Sequence, residues 1–103
     1  EKGCDVNQVD EYGRTLALIA ADKGHTAVLK LLIEKGCDVN HADEYGITMA
    51  FNAAREGHTA ALELLIEKGC DVNQVDEYGR TLALIAADKG HTAVLKLLIE
   101  KGC

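Results

Sequence analysis

The stretch DEYGRTLALIAADKGHTAVLKLLIEKGCDVN, residues 10–40, decides the fold, because its first 28 residues return letter for letter from residue 76 to residue 103. A looser version, DEYGITMAFNAAREGHTAALELLIEKGCDVN, occupies residues 43–73. The cysteines mark the period, since Cys4, Cys37, Cys70 and Cys103 are each 33 residues apart. Repetition at this period predicts one array of stacked units, in which each unit contacts only its neighbours.

The period divides the single domain, residues 1–103, into unit one (1–33), unit two (34–66), unit three (67–99) and a partial unit (100–103). Units one and three are identical, whereas unit two differs from them at ten positions. Such near-identity is typical of designed or recently duplicated sequences. The chain is also compatible with being a segment of a longer array.

The first half of each unit is predicted to be a helix followed by a glycine. In unit one, Thr15 can cap a helix from Leu16 to about Lys23, and Gly24 can end it. The segment 38–46 has glycine, asparagine and aspartate at turn positions and no apolar run, so it reads as an extended loop or β-turn between units.

The second half of each unit is predicted to be another helix. Thr26 can cap a helix from Ala27 to about Lys35, which Gly36 closes. One apolar face follows from the helical spacing of Ala27, Val28, Leu31 and Leu32. Helices this short are not stable alone in water, so each needs a neighbouring unit to cover its apolar face.

These features together resemble the ankyrin repeat, a 33-residue unit of a β-turn and two helices. The strings that carry the resemblance are DEYGRT, AADKGH, AVLKLLIEKG and DVN, and the resemblance covers the whole chain. It implies an all-α ankyrin-repeat solenoid of helix-turn-helix units joined by β-turn or hairpin loops. It also implies a protein-interaction scaffold without chemistry of its own.

One family motif is altered at the start of the first helix. Where the family has Thr-Pro-Leu-His, this chain has Thr15-Leu16-Ala17-Leu18 in unit one and Thr48-Met49-Ala50-Phe51 in unit two. The missing proline would preset the first helical turn. The altered motif therefore bears on the helix starts and on the hydrogen bonds between units.

The resemblance places partner binding on the loop tips and on the inner face of the first helices. The corresponding residues are Val9, Glu11, Tyr12, Arg14, Asp22 and Lys23 in unit one; Ala42, Glu44, Tyr45, Ile47, Arg55 and Glu56 in unit two; and Val75, Glu77, Tyr78, Arg80, Asp88 and Lys89 in unit three. Several of these positions differ between the units. Variation on a shared scaffold is typical of a binding surface and equally of neutral surface drift.

The cysteines and histidines are interpreted as structural. Stacked helices lie roughly 8–10 Å apart, too far for neighbouring cysteines to bridge, and four cysteines in a row cannot surround a metal ion. We therefore expect small, semi-buried free thiols, which favour a reducing compartment. His25, His58 and His91 resemble the turn element that ties neighbouring loops, and His41 is interpreted as ordinary variation.

No enzyme, cofactor or metal is predicted. The neighbouring Cys37 and His41 have no counterpart pair in the other units, and a nucleophile also needs an orienting third group. The net charge of −6 disfavours a nucleic-acid partner, and no apolar run approaches the roughly 20 residues that span a membrane. Unit two is the most acidic, which favours a protein partner with a basic patch.

Both ends of the array are expected to expose stacking surfaces. Unit three repeats the apolar residues of unit one, and neither end has a polar capping unit. Two functions follow from these observations. The first is a scaffold that binds another protein, and the alternative is a structural repeat that associates end to end into an extended or filamentous solenoid.

Overall fold

The computed structural model describes residues 6–102 and contains two helices in each unit. Their bounds are α1 Leu16–Lys23, α2 Thr26–Glu34, α3 Met49–Glu56, α4 Thr59–Glu67, α5 Leu82–Lys89 and α6 Thr92–Glu100. The first helices α1, α3 and α5 pack side by side in one row, and α2, α4 and α6 form a second row. The predicted all-α solenoid is thereby confirmed. Within the described residues, β pairing is limited to one isolated bridge between Val75 and Thr81.

The first helix of each unit begins at the predicted residue. The hydroxyl of Thr15 accepts a hydrogen bond from the Leu18 N–H, and Thr48 and Thr81 cap α3 and α5 in the same way. A threonine cap satisfies a backbone donor that the helix itself leaves unpaired. The loss of the family's proline therefore does not displace the start of these helices.

The predicted cap of the second helix is wrong. Thr26 is the first residue of α2, and His25 occupies the cap position without a side-chain hydrogen bond to the helix. The same arrangement recurs at His58 and His91. The reason is that Gly24 already turns the chain through a left-handed conformation, with a φ of 75°, which brings the next residue into the cap position.

The predicted apolar face of α2 is also only partly correct. Leu29 and Leu32 are the buried residues of this helix, whereas Ala27, Val28 and Leu31 are exposed. The counterparts of Val28 in the later units, Ala61 and Val94, are fully buried. Val28 and Leu31 therefore belong to the side that a preceding unit covers elsewhere in the array.

The two ends of the array expose opposite sides of the same unit. Unit one leaves apolar side chains uncovered on its N-terminal side: Leu16, Ile19, Val28 and Leu31. Unit three leaves Leu84, Ala87 and Ile99 exposed on its C-terminal side. The counterparts of Leu84 in units one and two, Leu18 and Phe51, are buried. The expected exposure of stacking surfaces at both ends is confirmed.

Candidate protein-binding surface

An aspartate organises each loop tip. In unit one the Asp10 carboxylate accepts hydrogen bonds from the N–H groups of Tyr12 and Arg14, at 2.9 and 3.0 Å, and pairs with the Arg14 guanidinium at 2.8 Å. The Asp10 N–H returns a bond to the Arg14 carbonyl at 3.0 Å, which closes a hairpin-like turn. The N–H and guanidinium of Arg14 lower the pKa of Asp10. The turn is therefore organised around an ionised carboxylate.

The equivalent loops of units two and three are built in the same way. Asp43 accepts from Tyr45 and Ile47, and Asp76 accepts from Tyr78 and Arg80. Asp76 is buried, which opposes ionisation, but the bonds from Arg80 and Tyr78 outweigh that effect and lower the pKa of Asp76. A tip organised by local hydrogen bonds holds its side chains in place before any partner arrives.

A tyrosine projects from each loop tip. Tyr12, Tyr45 and Tyr78 are 44%, 51% and 72% exposed. The guanidinium carbons of Arg14 and Arg80 lie 5.2 Å from the ring centres of Tyr12 and Tyr78, within range of a cation–π contact. In unit two, Ile47 replaces the arginine, so Tyr45 has an apolar neighbour in the loop instead of a cation.

The loops are fastened to one another by hydrogen bonds. The Glu44 N–H donates to the Tyr12 carbonyl at 3.1 Å, and a ring nitrogen of His41 lies 2.8 Å from the Gly13 carbonyl. The interpretation of His41 as ordinary variation is therefore wrong, because its side chain joins unit two to unit one. Gln74, at the same position of unit three, accepts a bond from the Thr48 hydroxyl.

Two of the three histidines between the paired helices, His58 and His91, join adjacent units as predicted. Nε2 of His58 lies 3.1 Å from the Asp22 carbonyl, and Nε2 of His91 lies 2.8 Å from the Arg55 carbonyl. Each bond reaches back to the last turn of the preceding first helix. The first helices, which carry a third of the predicted binding residues, are thereby held in register.

Every residue predicted for partner binding lies within residues 6–102, and none is buried. Asp22, Ile47 and Arg55 are half-buried, and the others are exposed. Two grooves bring many of them together. A groove of about 410 Å³ between units one and two is lined in part by Arg14, Asp22, Lys23, Tyr45, Ile47 and Arg55. A groove of about 380 Å³ between units two and three includes Ile47, Arg55, Arg80, Asp88 and Lys89.

Not all of the predicted residues line these grooves. Neither includes Val9, Glu11, Ala42, Glu44, Glu56, Val75, Glu77 or the rings of Tyr12 and Tyr78. These residues belong to the exposed loop tips and to the helix ends above the grooves. The surface therefore combines apolar floors, at Ile47 and at the first helices, with a charged rim.

A polar network that the sequence does not predict crosses from unit one to unit two. Asn52 is only 7% exposed, and its side-chain amide donates a hydrogen bond to the Leu18 carbonyl at 3.2 Å. The Arg55 guanidinium donates at 2.8 Å to both the Asn52 side-chain oxygen and the Asp22 carboxylate. The signal for this network was an asparagine at a position where Ile19 and Ile85 stand in the other units.

The described cysteines are the free thiols that the sequence predicts. Cys37 and Cys70 are buried and unpaired with each other, while Cys4 and Cys103 lie outside the described residues. Burial raises the pKa of the Cys37 thiol, and burial raises the pKa of Cys70 to about 11. A thiol that stays protonated is a poor nucleophile, so these two cysteines behave as small core residues.

Comparison with known families agrees with the geometry. Stacked helix pairs with hairpin loops along one edge define a helical-repeat solenoid, a class whose members bind through an extended surface. The family model for ankyrin repeats matches three copies over residues 2–76 and 36–103. The chain therefore belongs to the ankyrin repeat family, whose members are generally non-enzymatic protein-interaction modules. A search of curated proteins found no match.

Between residues 6 and 102, no group of three or more histidine, cysteine, aspartate or glutamate side chains is arranged to hold a metal ion. No helix in the same range is long and apolar enough to cross a lipid bilayer.

Proposed function

We propose that this protein is a non-catalytic scaffold that binds another protein through its loop tips and the two grooves beside its first helices. The observation that carries the proposal is the convergence of tip and helix residues on these grooves. Tyr45 and Ile47 line the groove between units one and two together with first-helix residues, and both grooves include Ile47 and Arg55. A half-exposed tyrosine on a rigid turn is a typical anchor of a protein interface, because few torsions are frozen on binding.

The charge of unit two favours a partner with a basic patch. Of its acidic residues, Glu34, Asp38, Glu44, Glu56 and Glu63 are exposed. A basic partner would therefore be attracted to the acidic surface of unit two. The association rate should then fall as the salt concentration rises, whereas contacts in the apolar floors should depend little on salt.

The test compares a groove variant with a surface variant of the same chain. Tyr45→Ala/Ile47→Ala removes the proposed anchor, and Lys30→Ala/Glu67→Ala changes exposed residues on the second helices without changing the net charge. Proteins retained by the wild type would be purified, and their affinity for each variant measured by titration calorimetry. We expect the groove variant to lose tenfold or more in affinity, roughly the effect of one anchor residue. A partner that binds the groove variant as well as the wild type would overturn the proposal.

A second candidate function is structural, namely the end-to-end stacking of repeat units. It is supported by the exposure of Leu84 and Ile99, at 57% and 62%, at one end and of Val28 and Leu31, at 48% and 52%, at the other. Light scattering across a concentration range, with reductant present, tests it directly. A mass that climbs without limit supports stacking between copies, and a mass that stays at one chain contradicts it.

A further inference from the structure

The two internal interfaces of the array are chemically different. Unit two meets unit one through the Asn52–Arg55–Asp22 network. At the interface between units two and three, the counterpart of Asn52 is Ile85, which is 7% exposed. Units one and three, here called the outer type, therefore present an apolar residue where unit two, the middle type, presents a polar one.

The network depends on groups that unit three repeats on its uncovered side. Leu84 is the counterpart of Leu18, whose carbonyl accepts from Asn52, and Asp88 is the counterpart of Asp22, whose carboxylate accepts from Arg55. Leu18 is 2% exposed, whereas Leu84 is 57% exposed, and Asp88 is exposed. The Asp88 side chain makes no hydrogen bond or ion pair with other residues of the described range. The C-terminal side of unit three thus repeats one half of a recognition pair.

We propose that the C-terminal side of unit three is a docking surface for an ankyrin unit of the middle type. The partner unit would be recognised by an asparagine at the Leu84 carbonyl and an arginine at the Asp88 carboxylate. The inference rests on the second candidate function, the stacking of units, and adds which unit is taken up. Around the polar pair, Leu84, Leu95 and Ile99 supply the apolar contact area that Leu18, Leu29 and Ile33 supply inside the chain.

An outer-type unit fits the same surface less well. It would bring an isoleucine to the Leu84 carbonyl and an aspartate to the place where Arg55 meets Asp22 at 2.8 Å. Two carboxylates at this separation repel one another, and the network loses both of its cross-unit donors. Stacking of identical copies through unit three and unit one is therefore weaker than stacking of alternating unit types.

The test extends the full chain by one unit of either type. Residues 100–103 are identical to the start of both unit types, so a copy of residues 38–66 or of residues 5–33 continues the chain without a linker. Each extended protein, and the unextended chain, is made with and without Asp88→Ala. Unfolding by urea at low salt is followed by circular dichroism, since guanidinium would screen the charges under test.

The substitution should act differently in the two extended proteins. Asp88→Ala should lower the urea midpoint of the middle-type extension by about half a molar, the size expected for a charged hydrogen bond. It should leave the outer-type extension unchanged or raise its midpoint. Because the same change is made in each background, differences in the intrinsic stability of the two units cancel.

An equal shift in both extended proteins would overturn the proposal. So would a larger loss in the outer-type extension. The corresponding change of the copied arginine, Arg55→Ala within the middle-type extension, should reproduce the effect of Asp88→Ala and add nothing to it. These outcomes are independent of the mass of the unextended chain, so a failure of selectivity is distinguishable from a failure of stacking between copies.

Discussion

A glycine and a histidine together fasten α1 and α3 to the unit that follows each of them. Gly24, Gly57 and Gly90 end their helices with φ values of 75°, 76° and 74°, in the left-handed region that favours glycine. The His58 ring lies against Gly24, and the His91 ring lies against Gly57. The hydrogen bond of each histidine to a backbone carbonyl therefore depends on the absence of a side chain at the glycine.

Gly24→Ala should destabilise the protein more than Gly90→Ala does. A Cβ at Gly24 would lie 2.7 Å from the His58 ring, whereas a Cβ at Gly90 meets nothing within 4 Å. Both substitutions carry the left-handed backbone cost, roughly 1–2 kcal/mol. The displaced histidine should add about 1 kcal/mol for its lost bond. The free energy of unfolding of each variant is measured in urea. In a His58→Ala background, Gly24→Ala and Gly90→Ala should lower this free energy by equal amounts.

The buried Cys70 predicts a loss of stability at alkaline pH. Its folded pKa is about 11, against an ordinary value of 9.0. As the pH rises through 9.0, the Cys70 thiol ionises in the unfolded chain but stays protonated in the folded protein. Ionisation therefore favours the unfolded chain, and the free energy of unfolding falls between pH 9 and 11. The urea midpoint of the wild type should therefore fall more steeply across this range than that of Cys70→Ala. Parallel declines would contradict the raised pKa.

At the scale of the elements, each first helix has a side-chain cap and each second helix has none. Thr48 bonds to the Phe51 N–H and donates its hydroxyl to Gln74 of the next unit. Thr59, the first residue of α4, caps nothing. The two threonines of unit two therefore have different roles although each follows a turn.

Thr48→Ala should cost more stability than Thr59→Ala. Removal of a threonine cap costs about 1 kcal/mol, and Thr48 also loses its bond to Gln74. A threonine at the first helical position contributes only its helix propensity, a few tenths of a kcal/mol. The measurement is the free energy of unfolding of each variant in urea. Equal costs would mean that the second helices are capped by threonine after all.

Sequence alone predicts the elements whose cause is local. Thr15 and Gly24 bound α1 as predicted, because a cap and a left-handed glycine act within one turn. The Asn52 network could not be derived in this way, since its partners Leu18 and Asp22 lie about one repeat away. Val28 and Val94 show the limit most clearly. They occupy identical units, yet Val28 is 48% exposed and Val94 is fully buried, so only position in the array distinguishes them.

At the scale of the whole molecule, stability arises between units. Each unit has two sides that are covered only by its neighbours, and within residues 6–102 unit two is covered on both sides. In such an array the free energy is approximately a sum of unit terms and interface terms. The same substitution in two identical units should then have different costs, according to which side it lies on.

Leu18→Ala should cost about 2–5 kcal/mol, the usual range for a buried leucine, whereas Leu84→Ala should cost less than about 1 kcal/mol. The reason is that Leu18 is covered by unit two and Leu84 is 57% exposed. On the opposite side the order reverses, because Leu82 is fully buried and Leu16 is 41% exposed. Leu82→Ala should therefore be costly and Leu16→Ala mild. This crossed pattern, measured by urea unfolding of the four variants, separates coverage by a neighbour from simple fraying of one end. If both substitutions in one unit were mild and both in the other were costly, fraying would explain the result and the interface account would fail.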